Sequence, residues 1–247
     1  MKQRNVVIFM TACINPKGMN DTKLQNVAIR RSQYLAALNH YLGITPPNIK
    51  ILFVENSGED ISPQYEKEIG NGKMEVITFD GNDYNRVLGK GYGEALILRK
   101  GIEMSKIISH DTTIIKVSGR HIVKNLNLIL QTSQIFIHSS HYVVCDINKK
   151  TRGANSDMFI ASKDFYDMFL KNTSNIDESK GIWFEHVLFD SIEQYCRKGN
   201  EFVYLPVPLN QEGQSGSTGE IFRAPTLKTY FMNMAKAILY RIGFIKV

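Results

Sequence analysis

Three cysteines are all the chain contains, Cys13, Cys145 and Cys196, widely separated and odd in number. That excludes a disulfide framework or a CxxC metal pair and fits a reducing cytoplasm. Cys13 and Cys145 stand at the ends of apolar runs, where a buried thiol is expected. Long apolar runs are missing as well, since none approaches the roughly 18 residues of a membrane span. After Met1-Lys2-Gln3-Arg4-Asn5, the run Val6 to Met10 is too short for the core of a secretion signal. A cytoplasmic location is therefore expected. Basic residues are scattered and form no dense stripe, so no nucleic-acid partner is expected. There is no Walker sequence and no internal repeat. Gly213-Gln214-Ser215-Gly216-Ser217 lacks the final glycine of a nucleophile elbow, which argues against a serine-triad hydrolase.

What is present is ordinary globular material: 247 residues, 43% of them hydrophobic, enough to bury a real core. One domain over residues 1–222, with a terminal helix over 223–247, is the expected organisation. The formal charge of +6 suits an anionic ligand or an anionic surface.

The apolar run Val6 to Cys13 reads as a buried parallel strand, and Ile49 to Val54, Met74 to Phe79 and Asp111 to Val117 read as three further strands. Between them lie helical patterns. In the first, capped by Asp21, Leu24, Val27, Ala28, Leu35, Leu38 and Leu42 recur at helical spacing, and Gly43 with Pro46-Pro47 ends it. A second opens at Gly89-Lys90-Gly91-Tyr92-Gly93-Glu94 and runs to about Ile108. A short helix from Asn125, strands at Tyr142 to Cys145 and Met158 to Ile160, helices at Lys163 to Leu170 and Gly181 to Arg197, and a strand from Glu201 to Val207 follow. Strand and helix alternate in the first half, which predicts an α/β fold: a mostly parallel sheet with helices on both faces. In such a sheet the ligand crevice lies beyond the carboxyl ends of the strands. Thr11, Glu55-Asn56-Ser57, Asp80 and Ser118-Gly119-Arg120 all fall there.

Each cluster has a plain structural alternative. Lys90 and Gly91 belong to a glycine turn at a helix start, whose free N–H groups suit an anion or simply a tight cap. Arg120 offers a bidentate donor for phosphate, and Lys116 is two residues before Ser118 on the same side of the strand. Together Lys116 and Arg120 can neutralise a diphosphate, although a turn arginine paired to a surface carboxylate is the alternative. Glu185 and His186 stand at a helix start beside Trp183, the only tryptophan; Glu185 suits a general base or merely complements the helix dipole. Asp157 is a second carboxylate candidate, for acceptor hydroxyls. His138 and His141 have extended flanks, Ile135-Phe136-Ile137 and Tyr142-Val143-Val144, and no third ligand, so a zinc site is not expected. The loop Gly213 to Gly219 is a donor-rich segment able to fold over a ligand, or a plain loop. From Pro225 onward, Leu227, Tyr230, Phe231, Met234, Ile238, Leu239, Ile242 and Ile245 recur at helical spacing among Lys228, Lys236, Arg241 and Lys246. Such a basic amphipathic helix suits a membrane interface, its own core or a dimer contact.

The order of segments from about residue 5 to 210 resembles the GT-A glycosyltransferase fold, particularly small bacterial enzymes of capsule, O-antigen or lipooligosaccharide synthesis. The resemblance rests on Val6 to Thr11, Val54 to Gly58, Lys90 to Glu94, Lys116 to Arg120, Asp157-Met158-Phe159 and Phe184-Glu185. It implies a nucleotide-sugar donor and a glycan or lipid-linked glycan acceptor; an inner-membrane surface contact is one of the three roles open to the terminal helix, which lies outside the resemblance. Thr11, Glu55, Asn56 and Ser57 would hold the donor nucleoside, with Lys90, Gly91, Lys116, Ser118, Gly119 and Arg120 around its phosphates. Glu185 matches the location of the base in inverting members, whereas a retaining mechanism would leave it a binding residue; Asp157 and His186 lie toward the acceptor. The Asp-x-Asp that binds Mg²⁺ or Mn²⁺ in this fold is replaced by Ser118-Gly119-Arg120, so no motif supports the family's Mg²⁺ or Mn²⁺ here, and metal dependence is left open. A sugar nucleotidyltransferase shares the architecture, but Thr11 to Gly18 lacks its glycine-rich activation loop. A non-catalytic nucleotide- or glycan-binding protein is the alternative from another class.

Overall fold

The computed structural model describes residues 5–19, 22–216 and 219–245. In chain order the first half comprises β1 (Val6–Ala12), α1 (Val27–Ile44), β2 (Ile49–Glu55), α2 (Glu66–Gly70), β3 (Met74–Thr78), α3 (Lys90–Met104) and β4 (Thr113–Ser118). The second half comprises β5 (Ile122–Val123), α4 (Leu126–Phe136), β6 (Tyr142–Cys145), β7 (Ile147–Asn148), β8 (Gly153–Ala154), β9 (Met158–Ser162), α5 (Lys163–Asn172), α6 (Phe184–Arg197), β10 (Glu201–Tyr204), β11 (Gln211–Glu212) and α7 (Leu227–Arg241).

Seven strands form the central sheet in the order β10-β6-β9-β4-β1-β2-β3. All neighbours are parallel except β9, which runs antiparallel to both β4 and β6. The mostly parallel α/β architecture expected from the sequence is therefore present. Strand residues alternate between two cores, as a period of two demands. Val7, Phe9, Leu52 and Val54 pack with Leu98 of α3, Phe165 of α5 and Leu188 of α6. Ile8, Met10, Ile51 and Phe53 pack on the other side with Tyr34 and Leu38 of α1 and Ile129 of α4.

The reversed direction of β9 positions the site. Its pairing of Val117 with Met158 brings the start of β9 to the carboxyl end of β4, where Ser118 N donates to Asp157 O at 2.8 Å. Phe159 of β9 stacks on Tyr166 with centroids 5.3 Å apart, and Phe169 meets Phe184 edge-on at 5.2 Å. These aromatic contacts fix the first residue of α6, and so the direction of Glu185.

Several boundaries differ from expectation. Asp21 lies outside the described residues, and α1 is capped by Asn26, whose side chain accepts from Ile29 N at 3.0 Å. The face α1 buries is Arg30, Tyr34, Ala37, Leu38 and Tyr41; it keeps Leu38 of the expected stripe, with Val27, Leu35 and Leu42 partly buried at its margin and Ala28 exposed. Gly43 sits inside the last turn of α1, and α3 stops at Met104. Ile135 and Phe136 belong to α4 and are not extended. The last central strand ends at Tyr204, although Leu205 and Val207 remain buried. The terminal helix α7 docks on β10: Asn233 Nδ2 donates to Leu205 O at 3.1 Å, and Tyr240 packs edge-on against Phe202 and Tyr204. No helix among the described residues is long and apolar enough to cross a membrane.

Candidate active site

The carboxyl ends of β1, β2 and β4, the loop before β9 and the starts of α3 and α6 surround one cleft of about 610 Å³. That volume is in the range of small-molecule sites. Of the residues singled out in the sequence, Thr11, Asn56, Lys90, Gly91, Ser118, Gly119, Arg120, Asp157 and Glu185 line it. Glu55, Ser57, Lys116 and His186 do not.

The basic end is built from α1 and the turn after β4. Gly119 is required there, because a Cβ would come 2.5 Å from Thr11 O. The next residue, Arg120, donates from Nη1 to Gln33 Oε1 at 2.8 Å. Beside it is Arg30, only 5% exposed, whose Nε donates to Cys13 O at 2.9 Å and Ile14 O at 3.1 Å. Arg30 also reaches Leu24 O and the hydroxyl of Tyr34, which in turn accepts from Cys13 N. Burial lowers the proton affinity of Arg120; the Tyr34 hydroxyl opposes that and the Arg30 charge adds to it. Among the described residues neither guanidinium has a carboxylate within 4 Å. One buried and one half-buried guanidinium, Arg30 and Arg120, satisfied only by neutral oxygens, leave this end of the cleft electropositive. Arg30 went unnoticed in the sequence; its one signal is its place four residues before Tyr34 on the same helix face.

Lys116 does not reach the cleft. Its side chain is fully buried, with Nζ 2.5 Å from Glu94 Oε1 and 3.3 Å from Ser118 Oγ, and it also donates to Ser156 O. The ammonium lies 5.8 Å from the centroid of the Phe184 ring. It is a buried cation beneath the cleft whose charge is met by Glu94, which also accepts from Thr11 Oγ1 at 3.1 Å. The expected contact of Lys116 with a diphosphate is thus replaced by this ion pair.

Glu55 is likewise internal. Its carboxylate accepts from Ile14 N at 2.8 Å, from Ser57 N and Glu59 N at 2.9 Å each, and from Ser57 Oγ. Burial pushes its proton affinity up against these donors. Ser57 Oγ accepts from Asn15 N at 2.9 Å, so the pair fastens the loop after β1 to the loop after β2. Asn56 between them faces the cleft, and its Oδ1 is buried without a hydrogen-bond partner among the described residues. Asp80 is on the surface, 3.0 Å from Lys17 Nζ.

The glycine turn at α3 is also already occupied. Gly89 has φ +84°, and Gly91 N donates to Glu178 Oε1 at 2.7 Å. A Cβ at Gly89 or Gly91 would overlap the Glu178 carboxylate. The chain's own anion therefore sits where a phosphate was expected at this helix start.

Besides Glu178, three carboxylates from separate elements line the cleft: Glu94, Asp157 and Glu185. Glu94 is neutralised by Lys116. Asp157 Oδ1 lies 3.3 Å from His121 Nδ1, an approach too poorly angled for a hydrogen bond, and 3.4 Å from Ser118 Oγ. Burial pushes the Asp157 carboxyl up, but His121 and then Lys116 outweigh it and hold it below the usual aspartate range. His121 carries no sequence pattern; it is fixed edge-on against Phe222, with centroids 4.8 Å apart. Glu185 differs from both. Its Oε1 accepts from Ser156 Oγ at 2.6 Å, its Oε2 has no hydrogen bond and no basic side chain lies within 4 Å, all among the described residues. The indole of Trp183, 40% exposed, stands beside it. His186 points to a neighbouring cavity, with Nδ1 3.1 Å from Gly181 O.

The turn after β4 does not fit a divalent ion. It offers a hydroxyl, a glycine and a guanidinium, and among the described residues Asp157 is the one carboxylate beside it, 3.3 Å from His121 Nδ1. Among the described residues no three His, Cys, Asp or Glu side chains converge as ligands.

No protein-family profile matches the chain, and no curated protein matches it by sequence. Solved structures do match. The bifunctional glycosyltransferase WbbM superposes with TM-score 0.51 and 12% identity over 96% of this chain and 44% of its own. A mannosyltransferase from Pyrobaculum calidifontis, solved with GDP-Man and Mn²⁺, gives 0.49 and 7% over 99% of this chain and 64% of its own. The galactosyltransferase LgtC, solved with donor and acceptor sugar analogues, gives 0.47 and 10% over 81% and 74%. The chain thus spans less than two thirds of the length of the first two. At these identities the likeness is one of fold, and the α/β architecture is GT-A-like.

Proposed function

We propose that the chain is a glycosyltransferase that moves a sugar from a nucleotide-sugar donor to a hydroxyl of a bacterial surface-glycan acceptor, with inversion. The observation that carries this is the pairing, in one cleft, of two uncompensated guanidiniums with a carboxylate free to take a proton. Arg30 and Arg120 approach from the α1 side of the sheet edge, and Glu185 from the α6 side.

In this reading the nucleoside lies against Thr11 and Asn56, whose spare Oδ1 accepts an N–H of the base. Glu185 Oε2 removes the proton of the acceptor hydroxyl, and the oxygen attacks the anomeric carbon as its bond to the diphosphate breaks. Negative charge then grows on the leaving phosphate, where Arg30 and Arg120 stabilise it without reorganising. Asp157, kept ionised by His121, orients an acceptor hydroxyl. No step requires a metal at the turn after β4.

The terminal helix supports a membrane-surface acceptor. Leu227, Phe231 and Phe244 are 80%, 77% and 79% exposed, with Lys228 and Arg241 on the same segment. An apolar face flanked by basic residues suits an anionic bilayer interface.

The test is release of nucleoside diphosphate from a panel of nucleotide sugars, compared between the native chain and Glu185→Gln. Loss of release by a factor of about 100 or more in the variant, with donor binding intact, is expected. Equal release by both would remove Glu185 from the chemistry; no release from any donor by the native chain would overturn the assignment.

A further inference from the structure

A second cavity, of about 890 Å³, opens on the far side of Trp183. It shares Trp183 and Glu185 with the donor cleft, so the base stands at the junction of the two. We propose that this cavity is the acceptor subsite and that it selects an acceptor bearing an anionic group, a phosphate ester or a sugar carboxylate. The proposal rests on the glycosyltransferase reading and adds to it the charge class of the second substrate.

Four observations carry it. First, a base must touch both the acceptor hydroxyl and the reacting centre, and Glu185 borders both spaces. Second, Trp183 presents a half-open indole at the junction, a flat apolar surface on which a sugar ring can stack. Third, the cavity is cationic. Lys149, Lys150 and Lys236 line it, against Asp146 and the base itself. Asp146 is taken by Lys236, 3.7 Å away, which leaves Lys149 and Lys150 with no carboxylate within 4 Å among the described residues.

Fourth, those two lysines are on a fastened hairpin. They occupy the turn between β7 and β8, where Lys150 N donates to Asn148 Oδ1 at 3.0 Å and Arg152 N to Lys149 O at 3.3 Å. Arg152 adopts φ +50°, a costly conformation for a side-chain-bearing residue, and its guanidinium pairs with Asp190 of α6 at 2.6 Å. The hairpin is thus tied to the same helix that carries Glu185. The third basic hairpin residue serves that tie, and the two unpaired ones remain for a ligand.

Trp183 is the chain's only tryptophan, so intrinsic fluorescence reports on this junction. The experiment titrates glucose, glucuronic acid, glucose 6-phosphate and inorganic phosphate into the native chain and into Lys149→Ala/Lys150→Ala, with saturating nucleoside diphosphate. We expect both anionic sugars to bind the native chain about tenfold more tightly than glucose, and to lose that advantage in the double variant and in high salt. The phosphate ester and the uronic acid separate the two anionic sources. Equal affinity for charged and neutral sugars, no response to the anionic sugars, or an unchanged double variant overturns the proposal. Inorganic phosphate binding as tightly as the sugar phosphate also overturns it, since the site then recognises only a bare anion. The shift in melting temperature caused by nucleoside diphosphate is read separately. If it is absent the glycosyltransferase reading fails; if it is present while the sugars fail, only the acceptor proposal falls.

Discussion

Lys116 and Glu94 form an ion pair, 2.5 Å apart, with the ammonium fully buried beneath the cleft and the carboxylate at its surface. A charge sealed on a central strand has no water to turn to if its partner is removed. The pair therefore constrains the sheet edge on which every other cleft residue depends.

Glu94→Gln should accordingly be strongly destabilising, by about 3 kcal/mol, because it leaves Lys116 buried and unpaired. Adding Lys116→Met to it should recover much of the loss. Urea denaturation of the two single variants and the double checks this. Additive losses would show that the two side chains do not act as a pair.

Arg120→Ala should abolish the rise in melting temperature caused by UDP or GDP, and that rise should persist in the native chain with EDTA present. Arg120→Lys should restore only part of it, since an ammonium cannot offer two parallel donors. Thermal-shift curves with and without chelator decide the matter. A response that disappears in EDTA would overturn the metal-free account of the turn after β4.

The pH dependence of stability has a definite sign at Asp157. Its folded carboxyl is held below the usual aspartate range by His121 and Lys116, which outweigh the opposing burial. The unfolded chain then takes up a proton first as the solution is acidified. The stabilisation is complete above the usual aspartate range and is lost as pH falls through the lower folded value. Melting temperatures measured from pH 6 down to about pH 3 should fall more steeply for the native chain than for Asp157→Asn. Parallel curves would mean that the pair with His121 contributes nothing.

Phe231→Ser/Phe244→Ser should weaken sedimentation with vesicles containing anionic lipid and leave the nucleoside-diphosphate shift in place. Co-sedimentation at two salt concentrations separates the apolar part from the charged part. Equal binding by the variant would assign the exposed face of α7 to another role.

Much of the architecture was legible in the sequence. The runs Val6 to Cys13 and Ile49 to Val54 are apolar except for Thr11 and Lys50, as strands covered on both faces tend to be, and their polar ends marked the edge where the cleft opens. Depth was not legible. Strand parity put Lys116 and Ser118 on one side, yet β4 lies between β1 and β9 with helices over both faces, so the longer side chain is trapped below the cleft. Glu55 reads as a binding residue because it ends a strand, but three backbone N–H groups from two loops close around it. The capture of Gly91 N by Glu178 joins positions 87 apart, and no local pattern reveals such a contact. Arg30 was hidden because a charged residue within an amphipathic pattern reads as solvent-facing, whereas it shares the buried face of α1 with Tyr34 and Leu38.

The Glu178 carboxylate at the start of α3 has a bearing on how this scaffold can diverge. With the helix's positive pole already met from within by Glu178, the proposed donor's diphosphate would be recognised by side chains, Arg30 and Arg120, and not by fixed main-chain geometry. Side chains can be exchanged by single codon changes without rebuilding a loop. In that reading, affinity for the diphosphate can change by substitution at these two positions while the main chain around Gly91 keeps its contact with Glu178.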